Sequence, residues 1–160
     1  FSNEITMITG TFGKSFGSGG AFIACNSKIG EYLIQTSGAF RYTTALAPAL
    51  AAGALKSLQK IKSNKEWGMN LLSKSKNWKK EILRNCRYPV KGDSQILSLI
   101  VGQEEKTILL QKHLRKNGFL AVAIRPPTVP LNESRIRLTI RKDLNLDILK
   151  NFTSVLKSFK

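Results

Sequence analysis

A chain of 160 residues with 42% hydrophobic content is long enough for one or two small domains with genuine cores. No apolar run approaches the roughly 20 residues of a membrane-spanning helix, which excludes that class and leaves no membrane partner expected. The 26 Lys+Arg against 10 Asp+Glu give a net charge of +16, a balance that points toward anionic partners.

Taken in chain order, "EITMITG" alternates, is rich in β-branched residues and predicts a half-buried strand ending at Gly10. "GGAFIACN" predicts a second strand, "SKIGEYLIQT" a short helix, and "GAFRYTTALAP" a loop of small and hydroxyl side chains. "PALAAGALKSLQKIK" is a strong helix, opened by Pro48 and dominated by alanine and leucine. A longer amphipathic helix follows over Lys65 to Asn85, with Trp67, Leu71, Trp78 and Ile82 on one face as core packing. "SQILSLIVG" predicts a strand, and "EEKTILLQKHLRKNG" a helix that ends at Gly118 with basic residues in its last turn. "FLAVAIRPP" is a strand stopped by two prolines, and "NLDILKNFTSVLKSF" is a closing helix. Between them "SRIRLTIR" alternates, placing Ile136, Leu138 and Ile140 on one face and Arg135, Arg137 and Arg141 on the other. The second half is therefore an α+β layer on a mixed or antiparallel sheet, separated near residue 62 from a first part whose two strands cannot close a sheet.

The basic residues concentrate between Ile61 and Gly92, as Lys62, Lys65, Lys74, Lys76, Lys79, Lys80, Arg84, Arg87 and Lys91. They lack the interleaved aromatics of an RNA-binding surface, so a solvated helix face is expected and a nucleic-acid-binding module is the alternative. Cys25 and Cys86 lie in no metal-ligand spacing, which fits a reduced, cytoplasmic protein. The single histidine, His113, sits on a charged helical stretch and reads as solvated; a catalytic triad or histidine metal site would rest on it alone. The chain begins at Phe1 and not at Met, and is expected to be a piece of a longer protein.

The most unusual segment is "TFGKSFGSGGAFIAC", one lysine among four glycines. An aliphatic amine in such a turn is chemically useful when it condenses with an aldehyde, and pyridoxal phosphate (PLP) is the usual one. Glycines let the backbone approach a flat ring and a phosphate and permit positive φ. Thr11, three residues before Lys14, supplies a hydroxyl for the phosphate. The pattern is not a phosphate-binding P-loop, since Ile8 stands where that motif requires glycine.

The segment "GTFGKSFGSGGAFIAC" resembles the lysine segment of the α-oxoamine synthases, PLP enzymes of fold type I. The resemblance continues at "YLIQTSGAFRYTTALAP" and at "AIRPPTVP…SRIRLTI", in the same order and over essentially the whole chain. It implies an α/β fold comprising the end of the PLP-binding large domain (residues 1–62) and a C-terminal α+β small domain (residues 63–160). It further implies that Lys14 carries the cofactor, that Thr11 contacts its phosphate, and that Thr43 and Thr44 reach that phosphate from the neighbouring subunit of a homodimer. Arg137 matches the arginine that holds the amino-acid carboxylate, a role suited to a bidentate guanidinium. Thr128 matches an acyl-substrate contact, with Arg125 as a helper. "AIRPPTVP" is closest to the biotin-pathway member, which implies L-alanine and pimeloyl-CoA (or a pimeloyl carrier protein) as substrates. Members forming aminolaevulinate or 2-amino-3-ketobutyrate are the alternatives.

The residues taken without the resemblance leave blander readings open. Thr43 and Thr44 are also placed to cap the following helix, Arg137 to be one of three solvated strand arginines, and Thr128 to be a turn residue. The chain also departs from the family. The histidine that stacks on the cofactor ring and the aspartate at its nitrogen lie upstream of the lysine in relatives, and only 13 residues precede Lys14 here. Ser15 stands where relatives have alanine or glycine. The chain alone is therefore expected to be inactive.

Overall fold

The computed structural model describes residues 4–159, so Phe1–Asn3, the start of the expected extended segment, lie outside it. The chain divides into two compact units, Phe1–Lys65 and Glu66–Lys160.

In the first unit, β1 (Met7–Thr11) and β2 (Ala21–Cys25) form an antiparallel hairpin with Met7 opposite Cys25 and Thr11 opposite Ala21. The strand thus starts three residues later than Glu4 and includes Thr11. Gly10 is required by this pairing, because a Cβ there would lie 2.5 Å from the Phe22 ring. Helix α1 (Ser27–Thr36) is capped by Asn26, whose side chain accepts from the Ile29 N–H at 2.9 Å. A four-residue helix, α2 (Gly38–Arg41), capped by Ser37, occupies part of the expected loop. Helix α3 (Pro48–Ser63) begins with its proline in the first turn, where the missing N–H costs nothing. Among the described residues of this unit, Ala54 is the one buried hydrophobic. Met7, Ile8, Phe22 and Ile23 are all exposed, so the hairpin is not half-buried as the alternation of β1 predicts.

The second unit contains α4 (Trp67–Asn85), β3 (Val90–Lys91), β4 (Ile96–Gly102), α5 (Glu104–Lys116), β5 (Val122–Ile124), β6 (Ser134–Thr139) and α6 (Leu146–Ser158). Its sheet has the order β3-β4-β6-β5, with every neighbouring pair antiparallel. The two-residue β3 gives no periodicity signal and was not expected. Leu97, Leu99, Ile136, Leu138 and Ile140 project from one sheet face and pack with Trp78 and Ile82 of α4, Leu110 and Leu114 of α5, and Leu149 and Phe152 of α6. Three helices therefore cover one face, and the face carrying Ser98, Val122 and Arg137 is left open. No described helix is long and apolar enough to cross a membrane.

Three local expectations change. Trp67 is exposed, not core, because it lies in the first turn of α4; the Lys142 ammonium sits 4.9 Å from its ring centroid. His113 is half-buried. Its Nε2 lies 3.1 Å from both the Val155 carbonyl and the Ser158 hydroxyl, and its ring packs against Phe159, so it ties α5 to the end of α6. The basic run is not a uniformly solvated face. Lys74 donates to the carbonyls of Lys142 and Leu144, Lys79 to Gly92 and Asp93, and Arg84 to Glu81.

Candidate functional site

Lys14 lies in the connection between β1 and β2. The Phe12 N–H donates to the Gly20 carbonyl and the Ser18 N–H to the Phe12 carbonyl, both at 2.9 Å, which closes the base of the loop. Within it the Gly17 N–H donates to the Lys14 carbonyl at 3.0 Å, with Gly17 at φ +60°, a conformation that L side chains rarely adopt. The loop rests on α3. The Ser18 hydroxyl donates to the Leu50 carbonyl at 2.6 Å, and the Ser57 hydroxyl donates to the Phe16 carbonyl at 2.7 Å. Gly19 and Gly20 lie against the Leu50 and Leu46 side chains, and Cβ atoms there would come within about 3 Å of them. Phe12 packs between Phe16 and Phe22, with ring centroids 5.2 and 5.5 Å away. The result is an exposed primary amine on a loop fixed at both its base and its far side, with the exposed Thr11 at the last position of β1.

Thr43 and Thr44 lie in the irregular stretch between α2 and α3, both exposed. The N-cap of α3 is Ala47, with no side-chain cap, so neither threonine performs the capping that would have explained them locally.

In the second unit Arg137 occupies the middle of β6, opposite Ser98 of β4 and Val122 of β5, and projects from the open face. Three arginines around it, Arg125, Arg135 and Arg141, each have a carboxylate partner. Arg135 bonds Glu133 at 2.7 Å, and Arg125 pairs with Glu104. Arg141 bonds Asp143 through two nitrogens at 3.0 and 2.6 Å and thereby holds that carboxyl below its usual range. Arg137 has no hydrogen bond or ion pair among the described residues. It borders a groove of about 920 Å³ with Leu120, Val122, Leu144 and Ile148. The groove opens because β5 pairs with β6 only at Arg135–Arg137, which leaves the rest of that β6 edge unpaired. Thr128 is exposed in the turn after Pro126–Pro127, its N–H donating to the Arg125 carbonyl at 3.0 Å. The pairing with Glu104 gives Arg125 a structural explanation that the sequence did not offer.

Sequence reasoning missed Ser18 and Ser57 as supports of the lysine loop. A serine inside an alanine- and leucine-rich helix carries no signal of which distant carbonyl it will meet. No group of three or more His, Cys, Asp or Glu side chains that could hold a metal ion occurs among the described residues.

Three kinds of similarity agree. The sequence pattern of the family described as "Aminotransferase class I and II" matches residues 1–151. The 8-amino-7-oxononanoate synthase of Hahella chejuensis is 34% identical over 98% of this chain, and that of Chlorobaculum parvum 30% identical over 98%; the match covers 40% of each relative. Among solved structures, Sphingomonas wittichii serine palmitoyltransferase superposes with a TM-score of 0.85 at 22% identity, covering 96% of this chain and 39% of that one. The 8-amino-7-oxononanoate synthase of Francisella tularensis does so at 0.79 and 23%, covering 95% and 44%. At those identities the superpositions establish the α/β fold. The chain spans about 40% of the length of the curated relatives it matches. On the extent of the family match, the chain belongs to the class I and II aminotransferases, PLP-dependent enzymes of fold type I.

Proposed function

We propose that the protein containing this chain is an α-oxoamine synthase, a cytoplasmic homodimer that condenses L-alanine with pimeloyl-CoA, or a pimeloyl carrier protein, to 8-amino-7-oxononanoate with loss of CO2 and release of CoA or the carrier-protein thiol. The observation that carries the reading is the exposed Lys14 amine on a loop pinned to α3. The choice of substrates is supported by the names of the relatives at 30–34% identity.

The residues present fit PLP as far as this chain extends. An amine suits its aldehyde, and the Thr11 hydroxyl, three residues earlier, suits its phosphate. Glycines 13 and 17 keep the loop backbone free of side chains. When bound, PLP supplies an electron sink for the carbon next to the substrate nitrogen. Lys14 anchors it and then moves a proton at the amino-acid α-carbon. Thr43 and Thr44 contribute hydroxyls to the phosphate of the partner subunit. Arg137 holds the amino-acid carboxylate through two parallel N–H donors, a role for which a guanidinium without an internal carboxylate partner is suited. Thr128 contacts the acyl substrate with Arg125 beside it, a role for which Arg125 must release Glu104.

Supplying the full-length protein and PLP with alanine or serine, each with pimeloyl-CoA or palmitoyl-CoA, tests this. The expected product is 8-amino-7-oxononanoate from alanine and pimeloyl-CoA, with the other pairings far slower. Preference for serine and palmitoyl-CoA would place the protein elsewhere in the same family. No product from any pairing would remove the synthase reading.

A further inference from the structure

We propose that Ser57 is a positioning residue that sets where the Lys14 amine stands when it captures its cofactor. This rests on the assignment of Lys14 as the PLP lysine.

Lys14 is part of a short turn whose one internal closure is the Gly17 N–H to Lys14 carbonyl bond. The base of the loop is held by backbone pairing between Phe12, Ser18 and Gly20. Its far side, two residues past the lysine, is held at the Phe16 carbonyl by the Ser57 hydroxyl at 2.7 Å. That bond spans 41 residues of sequence and is partly shielded from water, and Ser57 itself is half-buried. A carbonyl in this position that loses its donor turns to find another, and the turn carrying Lys14 moves with it. The second tether, Ser18 to Leu50, is solvent-exposed and attaches the loop at its base, on the other side of Gly17. Ser57 is therefore the side chain through which α3 fixes the lysine end of the loop, although it touches neither the lysine nor the ligand that the lysine would take.

The removal of one half-buried hydroxyl donor corresponds to about a tenfold effect on any step that needs the held geometry. The experiment uses the full-length protein stripped of cofactor. PLP itself is added and the rate of its capture is followed by absorbance, with borohydride reduction and peptide mapping to locate the label. Ser57→Ala is expected to slow capture about tenfold and to shift the pH midpoint of the bound-cofactor absorbance, with the melting temperature of the stripped protein changed little. Ser57→Thr, which keeps the hydroxyl, is expected to restore both. If Ser57→Ala does not fold, Ser57→Cys, of similar size with a weaker donor, takes its place with the same expectation. Capture at the wild-type rate with an unmoved pH midpoint overturns the proposal, as does a Ser57→Thr variant as slow as Ser57→Ala. A wild-type label on a lysine other than Lys14 overturns the premise instead, and the peptide map separates that failure from the others.

Discussion

The two units solve the problem of order in opposite ways. The second buries sixteen hydrophobic residues in one cluster built on a four-stranded sheet and three helices. Among its described residues the first buries one, and it is organised by a hairpin, helix caps and two hydroxyl-to-carbonyl bonds. Hydrogen bonds fix geometry but contribute little net stability, whereas apolar burial is the dominant favourable term of folding. The exposed alternate residues of β1 and β2 mean that both faces of the hairpin carry apolar side chains without a covering layer. The second unit thus has the means to be stable within these 160 residues, and the first, among the described residues, has no comparable core.

Substitutions separate the two most sharply. Phe152→Ala removes a side chain that is 2% exposed and meets the Trp78 and Phe119 rings at 5.9 and 5.1 Å. It should destabilise the second unit by roughly 3–5 kcal/mol. Ile23→Ala, at a position 51% exposed, should change the stability of this chain by less than about 0.5 kcal/mol. Urea denaturation of the two variants checks both; equal losses would mean that the first unit holds a core after all.

Arg137→Ala tests whether the open sheet face is functional instead of structural. In the full-length protein it should weaken the use of alanine by about 30- to 1,000-fold, or roughly 2–4 kcal/mol, with a much smaller effect on the acyl-CoA requirement. Its effect on melting should be small, since it has no partner to lose among the described residues. Arg135→Ala and Arg141→Ala break ion pairs with Glu133 and Asp143 and should each cost less than about 1 kcal/mol of stability, with alanine binding retained. Normal alanine use by Arg137→Ala, with a defect in either neighbour, would move the carboxylate role along the strand.

A smaller effect is expected at Ser75, which is 2% exposed and donates to the Ser94 carbonyl at 2.6 Å. Ser75→Ala should destabilise by about 1–3 kcal/mol by leaving that carbonyl without its partner. The smallest concerns acid. Asp93 is lowered by its hydrogen bond and attraction to Lys79, and Asp143 by its bond to Arg141. A lowered folded pKa adds stability that is present above the unfolded value of 3.8 and is lost as pH falls through the folded value. Asp93→Asn should therefore flatten part of the decline in stability below about pH 4 by lowering the neutral-pH plateau by that same small amount, with stability at low pH unchanged.

Most of this architecture was legible because its periods are long. The helices at Pro48, Lys65, Glu104 and Leu146 and the strands at Ile96 and Ser134 each carry several turns or alternations of pattern. Val90–Lys91 was not legible, because two residues define no period. Trp67 was misread because a helical stripe says which side chains share a face but not where along the helix the core ends. The burial of β1 was misread for a related reason: alternation predicts a face to be covered, and the cover is not among the described residues. At the site, the glycine-lysine stretch and the alternation of β6 could be read directly. That Arg135, Arg141 and Arg125 would each find a carboxylate and Arg137 would not depends on tertiary geometry, as does the bond from Ser57 to Phe16.

The central claim is that Lys14 is the residue that holds PLP. Borohydride reduction of the full-length protein loaded with PLP, followed by peptide mapping, tests it most directly. The account predicts a pyridoxyl group on the peptide containing Thr11-Phe12-Gly13-Lys14 and its loss in Lys14→Ala. A label on another lysine that survives Lys14→Ala would contradict it.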